Sequence, residues 1–232
     1  MTDVSDDNRS APAEVSPAGP PDQAVVDLLA ALAYGELSAF ERLAEDATLA
    51  PSLSDKAAIS GMAAAEFGHF QRIAGRLIEL GVDPDAAMEP FVAPLDAFHA
   101  ATQPTDWLTG LIKAYVGDGI AADFYREVAA YVDEPTRDLV LEVLRDTGHA
   151  AFAVERVRAA IAGDPHVSGR LALWARRLVG EAMVQAQRVA VDREALARVL
   201  VGGAGDLAEV GQMLARITAK HSARMAALGL SS

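Results

Sequence analysis

Four acidic residues, Glu36, Glu66, Asp118 and Asp146, stand in otherwise apolar runs, and two of them precede a histidine by three positions: Glu66 with His69 in "AAAEFGHF", and Asp146 with His149 in "RDTGHAAF". Residues three apart on a helix share a face about one turn from each other, so each acid-histidine pair can grip one object. An unpaired carboxylate in a low-dielectric core costs several kcal/mol or more. A fold that turns these faces inward must therefore bring the acids to a common set of cations.

The spacing repeats. "YGELSAFERLAED" and "VGDGIAADFYREVA" set a glycine and an acid at the same register, so that Glu36 corresponds to Asp118. Each is followed by its acid-histidine pair, Glu66 coming 30 residues after Glu36 and Asp146 coming 28 after Asp118. Acids make up about one residue in seven, so fewer than one of the five histidines should have an acid three positions earlier by chance, and three do. The third pair, Asp96 with His99, has no counterpart in the repeat and reads as structural.

The segments carrying these residues recur in apolar character at i, i+3 and i+4, with little strand-like alternation, which predicts an all-α fold. Helices are expected over about Gln23 to Ala47, from Ser54 or Asp55 as cap to near Gly81, Asp106 to Tyr131, Pro135 to Ala162, Arg170 to Leu200 and Asp206 to Leu228. Between the second and third runs "VDPDAAMEPFVAPLDAFHAATQPTDW" holds four prolines and predicts a long, partly helical crossover. Two antiparallel helices, a long crossover and two more make the ferritin-like form of the four-helix bundle, here with two additional C-terminal helices. Residues 1 to 22 are rich in Pro, Ser, Asp and Ala and predict a disordered tail, leaving 23 to 232 as one helical domain.

Around Glu36 the positions three, four and seven away include Leu29, Leu32, Ala33, Phe40 and Leu43, and around Asp118 they include Leu111, Ala114, Tyr115, Ala121 and Tyr125. Asp118 is thus the better inward candidate than Asp123, whose offsets include Arg126 and Glu127. Two divalent metals would cancel four buried acids. One acid from each of two helices, with an acid-x-x-His pair from each of the other two, is the di-iron or di-manganese carboxylate pattern of such bundles.

On "YGEL", "AAAEFGHF", "VGDG" and "DTGH" the sequence resembles the ferritin-like superfamily, in its actinobacterial branch related to tRNA-(2-methylthio-N6-isopentenyladenosine) hydroxylase, over about residues 23 to 230. The resemblance implies a non-haem centre of two iron ions, with manganese or a mixed pair as alternatives. It implies O2 as co-substrate, hydroxylation of an unactivated carbon, and Glu36, Glu66, His69, Asp118, Asp146 and His149 as ligands. The usual family ligands are glutamates, and Asp118 and Asp146 are each one methylene shorter. Glu142, four residues before Asp146, could compensate or be an ordinary edge residue. Tyr115 and Tyr125 share the Asp118 face and could support the site.

Cysteine is absent, which leaves carboxylate and imidazole as the strong metal ligands. The net charge of −13 argues against a general nucleic-acid binder, but from Ser168 onward nine cations face five acids. Arg170, Arg176, Arg177 and Arg188 in that part could hold the phosphates of a tRNA substrate; a small molecule is the alternative. His166 and His221 read as solvated or capping. With no predicted membrane span or secretory signal, a cytoplasmic location is expected, with a separate electron donor as partner and a homodimer as one assembly. The second reading is a non-catalytic ferritin-like scaffold that binds one metal or none.

Overall fold

The computed structural model describes residues 22–145, 149–196 and 207–231. Among them the chain is helical, in the order α1 (Gln23–Asp46), a 3-10 turn (Ala47–Leu49), α2 (Leu53–Glu79), α3 (Pro84–Ala101), α4 (Trp107–Ile112), a π turn (Lys113–Gly117), α5 (Asp118–Ala129), α6 (Glu134–Val143), α7 (His149–Gly163), α8 (Val167–Asp192) and α9 (Leu207–Leu228). Residues 1–21, and with them nearly all of the expected tail, lie outside the described residues.

Local chemistry sets the helix ends. Asp22 accepts from the Ala24 amide at 2.9 Å to start α1. At α2 the cap is Ser52, not Ser54 or Asp55: its hydroxyl takes the Asp55 amide at 3.1 Å and donates to the Asp55 carboxylate at 2.7 Å. Gly81, at φ +75°, turns the chain out of α2 while the Val82 amide reaches back to the Leu77 carbonyl. Asp106 and Thr109 form a reciprocal capping box at the start of α4.

The crossover is one helix of 18 residues. Pro84 occupies its first turn, where no amide is needed, and Pro90 and Pro94 are carried inside it. The third bundle helix is α4 and α5 joined through the π turn, and the fourth is α6 followed by α7, with Leu144 ending α6. The fourth helix is thus not the continuous run expected over Pro135 to Ala162. The "GGAGD" breaker lies outside the described residues.

Ion pairs fix the neighbours. Asp55 meets Arg156 Nε at 2.8 Å and Arg72 meets Glu142 at 2.6 Å, which sets α2 antiparallel to α6 and α7. Tyr125 donates to the Ala31 carbonyl, tying α5 to α1. The crossover α3 lies over α1 through Tyr34 and Asp96 at 2.7 Å, and α8 closes on it through Arg177 and the Ala101 carbonyl. By length and composition α1 could cross a membrane, yet most of it is buried as a core helix of the bundle.

The interior divides into two apolar clusters. One holds Leu43, Ile59, Met62, Ile112, Val116, Ala153 and Val157; the other holds Leu29, Leu32, Ile73, Leu77, Val128, Val140 and Val143. Along each of the four bundle helices the chain passes from one cluster to the other; Glu36, Glu66 and His149 fall at the passage, whereas Asp118 lies between Val116 and Ile120 of the first cluster.

Asp123, 2 % exposed, falls between Ile120 and Val128, where α5 changes cluster. Its carboxylate meets Arg224 at 2.7 Å, Lys220 at 3.2 Å and Arg126 at 3.3 Å, which docks α9 on α5. Replacing Asp123 by Asn leaves those cations without a counter-charge and should cost on the order of 3 kcal/mol of unfolding free energy. A urea unfolding curve within about 0.5 kcal/mol of the parent would show that the seam is held by apolar contacts alone.

Candidate metal centre

The α1 face that buries Leu29 and Leu32 also carries Glu36, 8 % exposed, and the α2 face that buries Met62 and Ile73 carries Glu66 and His69. These three converge. His69 Nδ1 lies 3.4 Å from Glu36 Oε2 and 3.1 Å from Glu66 Oε2, and one ligand atom from each residue fits within a span of 4.8 Å. Glu66 presents its other oxygen, Oε1, at 3.8 Å from Nδ1 of His149 at the start of α7. One carboxylate therefore stands between two imidazoles.

Asp118 joins them across a cavity of about 770 Å³ that Glu36, Glu66, His69 and His149 also line. Asp118 is itself exposed, yet the chain around its carboxyl strips it of water, and this, with the charge of Glu66, pushes its pKa well above the usual carboxylate range. Asp118 follows directly on the π turn, in which one extra residue is spent before the α-helix resumes. Asp146 lies outside the described residues.

The electrostatics describe a site built for a cation. Burial pushes Glu36 up to about 9, against the hydrogen bond with His69 that lowers it. Hydrogen bonds to Glu36 and Glu66 raise His69 to about 9 despite its burial. Burial raises Glu66 too, but its bonds with His69 and Glu36 outweigh that and hold it below its ordinary value. The group shares protons at the point where His69 Nδ1 and the carboxylate oxygens meet. Carboxylate and imidazole at these separations suit a divalent transition metal, which would take the position those protons hold.

The remaining sequence candidates lie elsewhere. Glu142 does not compensate at the centre: it is half exposed and pairs with Arg72 and, at 3.8 Å, with Arg145. Asp96 accepts from Tyr34, while His99 is buried on the cavity wall, its imidazole driven down to about 3 by burial and by the charges of Lys113 and Arg42. Tyr115 and Tyr125 line the cavity, and the Tyr125 hydroxyl is committed to the Ala31 carbonyl. His166 stands at the N-cap of α8 without a side-chain cap bond, and His221 is half-buried rather than solvated. Arg170 pairs with Asp106 at 2.6 Å, Arg176 donates to the Ser231 carbonyl, Arg177 to that of Ala101, and Arg188 to Gln185. Arg224, whose neighbours suggest a solvated face, is instead largely buried and lines the cavity.

Residues 21–203 match the family model described as "Ferritin-like domain, actinomycetes". No curated protein matches the chain.

The raised pKa values of Glu36 and His69 make a signed prediction for the metal-free protein. A group whose folded pKa lies above its unfolded value contributes stability that is lost as pH rises through the folded value. Glu36 loses it from about 4.5, its ordinary value, and His69 from about 6.5, each up to about 9, so both contribute to the loss between about 6.5 and 9. The urea midpoint of metal-free protein should fall across that window, and Glu36→Gln should flatten the fall. An equal slope in parent and variant would mean that Glu36 carries no proton there.

Proposed function

Because the chain belongs to the actinomycete ferritin-like domain family, we propose that it is a non-haem di-iron carboxylate protein that activates O2 to oxidise or hydroxylate a substrate held in the cavity. The observation that carries this reading is the convergence of Glu36, Glu66 and His69, with His149 on the far oxygen of Glu66. Glu66, with one oxygen toward His69 and the other toward His149, would help hold a metal pair, with Glu36 and His69 as ligands on one side and His149 and Asp118 on the other. Asp146 would complete the second side in the repeat.

A reduced iron pair supplies two electrons to O2 when bound. The residues of the chain provide the rest. The carboxylates of Glu36 and Glu66 would offset the charge of the pair, and His69 and His149 would hold it at the cavity wall. Leu43, Ile59, Met62 and Leu111 wall that cavity with apolar groups and exclude water from the reacting carbon. Hydroxylation of a C–H bond consumes O2, two protons and two electrons and releases water, so the protein needs a two-electron donor, a partner redox protein.

The family resemblance suggests a modified adenosine in tRNA. The four arginines that would hold its phosphates are already engaged within the chain, which favours a small molecule. The second reading is the non-catalytic scaffold, favoured by the shortened Asp118.

Anaerobic titration of the metal-free chain with Fe(II) should load close to two irons. His69→Ala and His149→Ala should each lower that content by about one, whereas Asp96→Asn should leave it unchanged. Reduced, loaded protein should develop an O2-dependent optical band. A stable bundle that takes up no iron would sink the di-iron reading and leave the scaffold.

A further inference from the structure

The cavity that opens on the metal-binding residues ends at a second polar feature. Arg224, on α9, reaches across α5 where Gly119 gives it room: a Cβ on Gly119 would lie 2.8 Å from Arg224 Cδ and 2.9 Å from its Nε. Nη1 meets Asp123 at 2.7 Å, but Nε and Nη2 are buried with no hydrogen-bond partner, and Arg224 lines the cavity. Leaving such donors unmade disfavours the folded state unless a ligand takes them.

Charge points the same way. Among the described residues of the α5–α9 seam, three cations, Arg126, Lys220 and Arg224, share the one carboxylate of Asp123. Glu127 is used by Arg216 in a two-pronged pair. Asp118, next to Gly119, is turned to the metal-binding residues. Between this positive end and those residues the walls are apolar, with Leu111, Ile120, Phe124, Leu214 and Ile217 among them. A volume of about 770 Å³ is of the size that holds a small molecule.

We propose that this cavity binds an aliphatic chain ending in an oxyanion, with the head group on the Nε and Nη2 donors of Arg224 and the chain lying along the apolar walls toward Glu66 and His69. Such a ligand satisfies the buried guanidinium with a charge-assisted pair and fills a space that water occupies poorly. Its carbon chain is then the part presented to the metal-binding residues. That it is the substrate rests on the di-iron reading; that it binds does not.

Calorimetric titration of the full-length chain, as purified and again after anaerobic Fe(II) loading, should use decanoate, decyl phosphate and decanol below their aggregation concentrations. Both anions should bind one per chain, at least tenfold more tightly than decanol, and the tighter of the two identifies the head group. Arg224→Gln should weaken the anions at least tenfold and leave decanol and iron content unchanged. Ile217→Trp, which fills the cavity and keeps the arginine, should abolish binding of all three. Anions that bind no better than decanol, a folded Arg224→Gln variant with parental affinity for decanoate, or undiminished binding in Ile217→Trp would each overturn the assignment. Anion binding by a chain that takes up no iron would defeat the di-iron reading alone, and iron uptake without anion binding would defeat only this one.

Discussion

The contact on which the rest of the structure depends is the meeting of Glu36 and Glu66 at Nδ1 of His69, 3.4 and 3.1 Å away, inside the bundle. Two carboxylates cannot both stay ionised there without positive charge between them. Protons held on Glu36 and His69 supply it. Every helix that contributes a side chain is then held to a common level, because a ligand displaced by one turn would lie about 5.4 Å away and out of reach.

That level separates the two apolar clusters. Each helix buries large side chains above and below it, Leu32 and Leu43 on α1, Met62 and Ile73 on α2, so the packing fixes the height at which the acids enter. The polar layer in turn interrupts what would be one core. The irregular turn at Lys113–Gly117 comes directly before Asp118, which lines the cavity while Val116 and Ile120, on either side, stay packed.

Much of this was legible in the sequence. The helical period and the crossover follow from apolar spacing, which is a local property of the chain. The same spacing chose Asp118 over Asp123 as the inward acid, yet Asp123 is the buried one of the two, under cations of α9 that no spacing within α5 reveals. Helix starts were legible to within a few residues because Asp, Ser and Pro act through their own backbone; choosing Ser54 or Asp55 over Ser52 missed that Ser52 and Asp55 satisfy each other. The π turn carries no composition signal, since Lys113, Ala114, Tyr115 and Val116 would all continue an α-helix, and only packing from other helices selects it. Arg224 was illegible for the same reason. "KHSARM" reads as a solvated stretch, and its burial depends on Gly119 and Asp123, a hundred residues earlier. His99 likewise reaches the cavity because α3 is laid across α1, which no spacing within α3 reveals.

The cavity thus draws its two ends from separate parts of the chain. Glu36, Glu66 and His69 lie within the segment that matches the family, whereas Leu214, Ile217 and Arg224 stand on α9, beyond residue 203 where that match stops. α9 packs on α5, the π turn and α7 and supplies none of the side chains that meet at His69. A wall assembled this way can change piecewise: substitutions along α9 reshape one end of the cavity while Glu36, Glu66 and His69, two helices away, keep their geometry.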